Sequence, residues 1–475
     1  MSPGTGPTAS AARQLAAVAA IVLVALSGSA GVAARGTEPS AASVSSSARP
    51  MPISASSAAM GSAIIPGWVD RTSIDLVATY AVDLALRYGD RAVRVDSTAA
   101  IRNTSDGPID RVELNTFAAR LGRMRLDRVT VDGRPIRPRL DDQTIVVPLG
   151  GILPDGATVR VRVIYHATLR SGTAGSDWLF TRANGIVDLY RWIPWIARQV
   201  PFDRPNNGDP FMIPVSPRVD VRLTTDRPLV VAANARRTSV SADGTVQTFV
   251  AEQVRDVPIS AAPDYRMSTA RAGSTTIRVF TRPGTSAAAL RAAAARSIEQ
   301  MESVLGPYPY PMYVVAESAG GLAMEGPGTT WIPRGVDPAR FSYLVAHETA
   351  HQWFPGLVGS DQWADPFADE ALVDMVARWS IGERRASRCA PSRLDRPITA
   401  YSAACYYEVI YIQGGNLLDS VRRSMGDGAY WAAIRDYIAP RRFAFGSSRE
   451  LLAALDVRTP FDVAASVAPY FPSLY

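Results

Sequence analysis

The sequence predicts an α+β chain in which a β-rich antiparallel region, residues 71–272, precedes a mainly helical one, residues 273–475. Three observations predict this. Between about 73 and 270, apolar residues recur at every second position in short runs bounded by Gly, Asp, Asn and Pro. From about 274 the period changes to that of a helix, beginning with AAALRAAAARSIEQMESVL at 287–305. Two Asp-Pro pairs, Asp337-Pro338 and Asp365-Pro366, then stand where helices would begin, since Asp caps well and Pro loses nothing at the first helical position. At 475 residues, 47% hydrophobic and 20% charged, the chain can fill two or three domains of ordinary globular composition.

Taken in order, residues 1–35 read as a targeting segment. Arg13 precedes the apolar run LAAVAAIVLVAL at 15–26, which small residues follow. The run is short for a membrane span, and Val32-Ala33-Ala34 has the form of a cleavage site. A cleaved signal peptide is expected, with an uncleaved membrane anchor as the alternative; no cysteine follows to carry a lipid. Residues 36–70, rich in Ala, Ser and Pro, read as a flexible tether. Strands are expected over 80–86, 91–97, 111–117, 144–147, 158–165 and 219–223, with Asp132-Gly133, Asp155-Gly156 and Asp243-Gly244 as turns. Such short alternating strands argue for an antiparallel sandwich or saddle-shaped sheet. His166, at the end of one of them, reads as a plain surface or core histidine. In the second region a helix over 287–305 ends at Gly306-Pro307, and a strand follows over 312–317. A helix over 339–354 then stops at Pro355-Gly356, and another runs from Asp365-Pro366 to about 381 and ends at Gly382.

The formal charge is +6, and every basic residue is an arginine. The arginines are dispersed, with doublets but no long run, which describes a solvated surface and no nucleic-acid partner. The two cysteines, Cys389 and Cys405, lack the spacing of a zinc knuckle. In an exported protein they are expected to close a disulfide.

Only three histidines occur, and two of them lie in His347-Glu348-Thr349-Ala350-His351. Four residues apart on a helix, the two imidazoles share one face. Glu370, nineteen positions after His351, lies on the next predicted helix and can return as a third ligand. Two nitrogens and one oxygen around Zn2+ leave a fourth position for water, the arrangement of a hydrolytic site. His347, His351 and Glu370 are therefore the expected metal ligands and Glu348 the general base. Asp374, one turn beyond Glu370, is expected to hydrogen-bond a ligand imidazole, or else to face solvent.

With these residues set out, the stretch HETAHQWFPGLVGSDQWADPFADE resembles the membrane alanyl aminopeptidase family of gluzincin zinc metallopeptidases. Gln352-Trp353-Phe354 and Trp363 stand where that family has similar residues, and GPYPYP at 306–311 is similar to its entry into the catalytic domain. The resemblance covers roughly 200 residues. It implies a thermolysin-like, mainly α catalytic domain behind an N-terminal β domain, one zinc per chain, and peptide substrates with a free N-terminus. Ala323-Met324-Glu325 matches the family's G-x-M-E-N strand, with Leu322 in place of the first Gly and Gly326 in place of Asn. The match implies that Glu325 holds the substrate's α-amine and that Ala323 and Met324 lie beside it. Tyr411, before Ile412-Gln413-Gly414, stands where the family has its catalytic tyrosine and is implied to donate to the oxyanion, with Tyr406 and Tyr407 as neighbouring candidates. The sequence stops at Tyr475, without the family's helical C-terminal domain, which implies a more open cleft or one covered by a partner. The expectation is an extracytoplasmic zinc aminopeptidase. The alternatives are an endopeptidase or other amide hydrolase on the same fold, or a catalytically silent cell-envelope binding protein.

Overall fold

Alternation of apolar and polar side chains builds the first half. The strand Leu76–Arg87 reads LVATYAVDLALR, and every second residue is buried. In the computed structural model, which describes residues 63–199 and 211–475, it pairs along its whole length with Ala92–Asn103. The expected targeting segment and most of the tether lie outside the described residues. Eight strands form this sheet, and two four-stranded sheets pack with it around one apolar core. The pairings are antiparallel throughout, except that Leu76–Arg87 meets Ser216–Thr225 in parallel, Tyr80 opposite Val219. Asp132 and Gly133 both take positive φ, 47° and 81°, which a two-residue hairpin between right-twisted strands demands. His166 is exposed and pairs with Asp127.

The last period-two strand, Arg266–Ala272, does not belong to these sheets. It forms a hairpin with Thr275–Thr281 at the edge of a separate five-stranded sheet. The boundary at 272 expected from the sequence therefore falls inside that hairpin, and the sheets change before Arg266. Period two marks a strand but not the sheet it joins. In the new sheet Thr275–Thr281, Met312–Ser318 and Thr329–Pro333 run parallel, and Met324–Gly326 closes the far edge antiparallel. The helix Ala287–Leu305 is the crossover between the first two parallel strands. Ser286 caps it by accepting from Ala289 N, and Leu290, Ala293, Ala294, Ile298 and Met301 form its buried stripe. This helix and the helices that follow it pack around a second core. Cys389 and Cys405 are joined in a disulfide.

The described residues belong to one compact unit. Polar ties join the β-rich part to the five-stranded sheet. Asp188, in the β-rich part, accepts from Ser260 Oγ and from the backbone N of Ala319 at 2.7 Å, just past the strand Met312–Ser318. Asn234 Nδ2 donates to Pro327 O at 2.5 Å and to Asp256 O at 2.9 Å, so the β-rich part also holds the turn that follows Glu325. Among the described residues, no helix is long and apolar enough to cross a membrane.

Candidate metal centre

Asp337 opens the first metal helix by accepting from Ala339 N at 2.9 Å, but the α-helix proper is shorter than expected, Phe341–Ala350. The chain then widens over Gln352–Leu357, with Phe354 extended at φ −137°, ψ 112°. The cause is Pro355, which lacks an N–H and disfavours helical backbone at the preceding residue. The bend turns the Phe354 carbonyl onto His351 Nδ1 at 2.8 Å. Gly356 is required here, because a Cβ would lie 2.9 Å from His351 O and 3.0 Å from the Tyr310 hydroxyl. The second helix also begins later than expected. Pro366–Ala368 is a separate short turn, the helix spans Glu370–Ile381, and Asp365 instead accepts from the N and Oγ of Ser448.

Three ligand atoms converge between these helices. His347 Nε2 and His351 Nε2 lie 3.3 Å apart, and Glu370 Oε2 is 3.4 Å from each. Bonds of about 2.0–2.1 Å to a tetrahedral zinc ion give ligand–ligand edges of roughly 3.3–3.4 Å, the triangle seen here. Glu370 Oε2 is buried and has no hydrogen-bond partner, so the site contains an acceptor that only a cation or a proton would satisfy. His351 Nδ1 faces two acceptors, Phe354 O and, at 3.0 Å, Asp369 Oδ1. Its proton therefore sits on Nδ1, and the Nε2 lone pair faces the triangle. The donor set, spacing and orphaned oxygen fit zinc.

The carboxylate behind the imidazole is Asp369, not Asp374. Asp374 accepts from Tyr343 Oη at 2.6 Å and from Arg378 Nε at 2.8 Å, one turn further along the helix, and meets neither histidine. It touches the centre only through Tyr343, whose ring lies 5.7 Å from that of His347. Gln362, which the sequence reading did not single out, is fully enclosed and joins two parts of the site. Its Nε2 donates to Asp369 Oδ2 at 2.6 Å and to Glu325 Oε1 at 3.2 Å. No sequence signal marks such a loop amide.

Glu325 reaches the centre on the edge strand Met324–Gly326, with Ala323 packed on the second core and Met324 on the first. Gln352 pins this hairpin to the metal helix, accepting from Gly328 N at 2.7 Å and donating to Gly326 O at 3.1 Å. Carboxylate oxygens of Glu325 and Glu348 and a nitrogen of His351 lie within 4.8 Å of one another. Burial, together with the charges of Glu325, Glu370 and Asp369, pushes the Glu348 carboxyl well above its ordinary value despite His351. Its Oε2 is likewise buried without a partner. Tyr411 lies in the widened helical segment Tyr407–Gly414, and its ring stacks on His347 at 5.5 Å and 16°. Burial and the neighbouring Glu370 keep its phenol protonated. Tyr407 is engaged elsewhere, 3.0 Å from Tyr343 Oη and 3.1 Å from Arg378.

This arrangement defines a class, an α+β fold whose H-E-x-x-H helix and following glutamate helix bring two imidazoles and a carboxylate to one point. No protein-family model matches the sequence. Aminopeptidase N of Lactococcus lactis subsp. lactis is 27% identical over 146 residues, which are 26% of this chain and 17% of the relative. Aminopeptidase N of Lactobacillus helveticus is 25% identical over 143 residues, 25% of this chain and 17% of the relative. The matches thus span about a sixth of these relatives' length. The M1 zinc metallopeptidase from Deinococcus radiodurans superposes with a TM-score of 0.65 at 22% identity, covering 86% of this chain and 96% of that one. A mutant of it bound to a Tyr-Ser-Ala substrate gives 0.66 at 21% identity over the same coverage. The chain has the fold of these M1 zinc metallopeptidases, in agreement with the resemblance drawn from its motifs.

Proposed function

We propose that this protein is a zinc-dependent aminopeptidase that removes N-terminal residues from peptides. The observation that carries the reading is Glu325, a carboxylate held by Gln362 within 4.8 Å of Glu348 and His351, beside the metal triangle. Four carboxylates (Glu325, Glu348, Asp369 and Glu370) surround two imidazoles, an excess of negative charge that a divalent cation and an α-ammonium group together would largely offset. An internal peptide bond brings no ammonium to Glu325, so a free N-terminus is favoured over a blocked one. The named relatives, aminopeptidases N, support the same reading.

His347, His351 and Glu370 would hold the zinc, which supplies Lewis acidity toward the scissile carbonyl and acidifies the attacking water. Glu325 fixes the substrate's ammonium and so sets which bond lies over the centre. Glu348, whose buried carboxylate has a raised proton affinity, takes the proton from the water and returns it to the leaving amine. Tyr411, kept protonated, donates its hydroxyl to the developing oxyanion. The apolar segment at 15–26 supports export, with the protein released or tethered through residues 1–35.

The test compares an aminoacyl anilide with its N-acetylated form, with and without a zinc chelator. The expected result is hydrolysis of the free amine only, lost on chelation and restored by zinc. Preferential cleavage of the acetylated substrate would assign an endopeptidase instead. A purified protein that holds no zinc, and is inactive after its addition, would assign a binding role.

A further inference from the structure

We propose that an arginine-lined cavity at the far end of the Glu370–Ile381 helix is a binding site for a multiply charged oxyanion of the phosphate class. The cavity, of about 630 Å³, is lined by Arg378, Arg384, Arg385, Arg422 and Arg423, with Asp419 as its one carboxylate. It is distinct from the metal centre. Arg378 forms the wall between them, its guanidinium committed to Asp374, which in turn holds Tyr343 against His347.

The ion pairs around the cavity do not balance. Asp419 is shared by three arginines, Arg384 at 3.0 Å, Arg422 at 3.0 Å and Arg423 at 3.3 Å. Glu408 is shared by two, Arg385 at 2.7 Å and Arg388 at 2.6 Å. Asp427 adds a contact to Arg422. Five guanidinium groups thus share three carboxylates, and two positive charges are left uncompensated. A solvated surface doublet would not need a shared, enclosed counter-ion. An excess of two charges matches a dianion, and guanidinium forks pair with phosphate oxygens two at a time. A recess of this size admits a diphosphate with its hydration.

The probe is inorganic pyrophosphate, titrated calorimetrically into the full chain at constant ionic strength. Saturable one-to-one binding is expected, weakened at least tenfold in the double variant Arg422→Gln/Arg423→Gln. That variant leaves Asp419 paired one-to-one with Arg384. The single variant Arg423→Gln, at a side chain 66% exposed, serves if the double variant does not fold, with a weakening of several-fold. The exposed strand doublet, changed as Arg236→Gln/Arg237→Gln, is expected to bind pyrophosphate as the unmodified chain does. No saturable binding, or equal binding by the cavity variants, or equal loss in the strand doublet variant, overturns the proposal. None of these outcomes depends on peptidase activity.

Discussion

Replacing Asp188 with asparagine should make the protein gain stability, relative to the unmodified chain, as the pH is raised from 5 to 8. The carboxyl is fully enclosed where the β-rich part meets the five-stranded sheet. Burial pushes it from 3.8 up to about 7, against the opposing hydrogen bonds from Ser260 and Ala319. A carboxyl whose folded value lies above its unfolded one keeps its proton in the folded state while the unfolded chain releases it. Its contribution is therefore most favourable below about pH 4, is lost as the pH rises towards 7, and is flat above that. The rise from 3.8 to about 7 corresponds to roughly 4 kcal/mol as an upper bound, of which about 3 kcal/mol falls between pH 5 and 8. Asparagine does not titrate, yet it can accept from Ala319 N through Oδ1 and donate to Ser260 through Nδ2. Tyr265, raised well above its ordinary value by burial first and also by the charges of Asp188 and Glu317, stays protonated from pH 5 to 8 and adds nothing to the difference. Urea unfolding of both proteins at pH 5 and pH 8 measures the difference. A stability gap of the same size at the two pH values would refute the reasoning.

Further outcomes follow from the metal centre. Glu348→Gln should retain zinc by metal analysis while kcat on an aminoacyl anilide falls about 10²–10⁴-fold; undiminished turnover would place the base elsewhere. Asp369→Ala should weaken zinc binding by about 10–100-fold in a chelator competition, because His351 loses a partner at 3.0 Å, whereas Asp374→Asn should leave zinc affinity unchanged. Gln362→Leu removes a charge-assisted hydrogen bond to Glu325 worth about 1.5–3 kcal/mol. It should raise KM for free-amine substrates about tenfold or more with a smaller change in kcat, a split that general loosening of the site would not produce.

Part of this molecule is local, and that part is legible in the chain. Spacing of four on a helix puts His347 and His351 on one face whatever surrounds them, and period two writes Leu76–Arg87 as a half-buried strand without reference to its partners. The helix Ala287–Leu305 carries its own cap, stripe and stop, so its two ends could be read to the residue. Tertiary packing decided the rest. Asp369 and Asp374 lie on the same short segment, five residues apart. Which of them meets His351 depends on where two helices cross, a distance that no spacing encodes. The bend that aims the Phe354 carbonyl at His351 is announced by Pro355, but its target appears only once the chain is folded. Gln362 acquires its place from two carboxylates brought in by separate elements, and the arginine cavity from a helix and a segment about forty residues apart in the chain. The sequence by itself determined the candidate ligands, the helices that carry them and the α+β class, because these rest on spacing and periodicity along the chain. Only the tertiary structure decided what stands behind and beside those ligands, because burial, shared counter-ions and hydrogen bonds between distant residues exist only after the chain has packed.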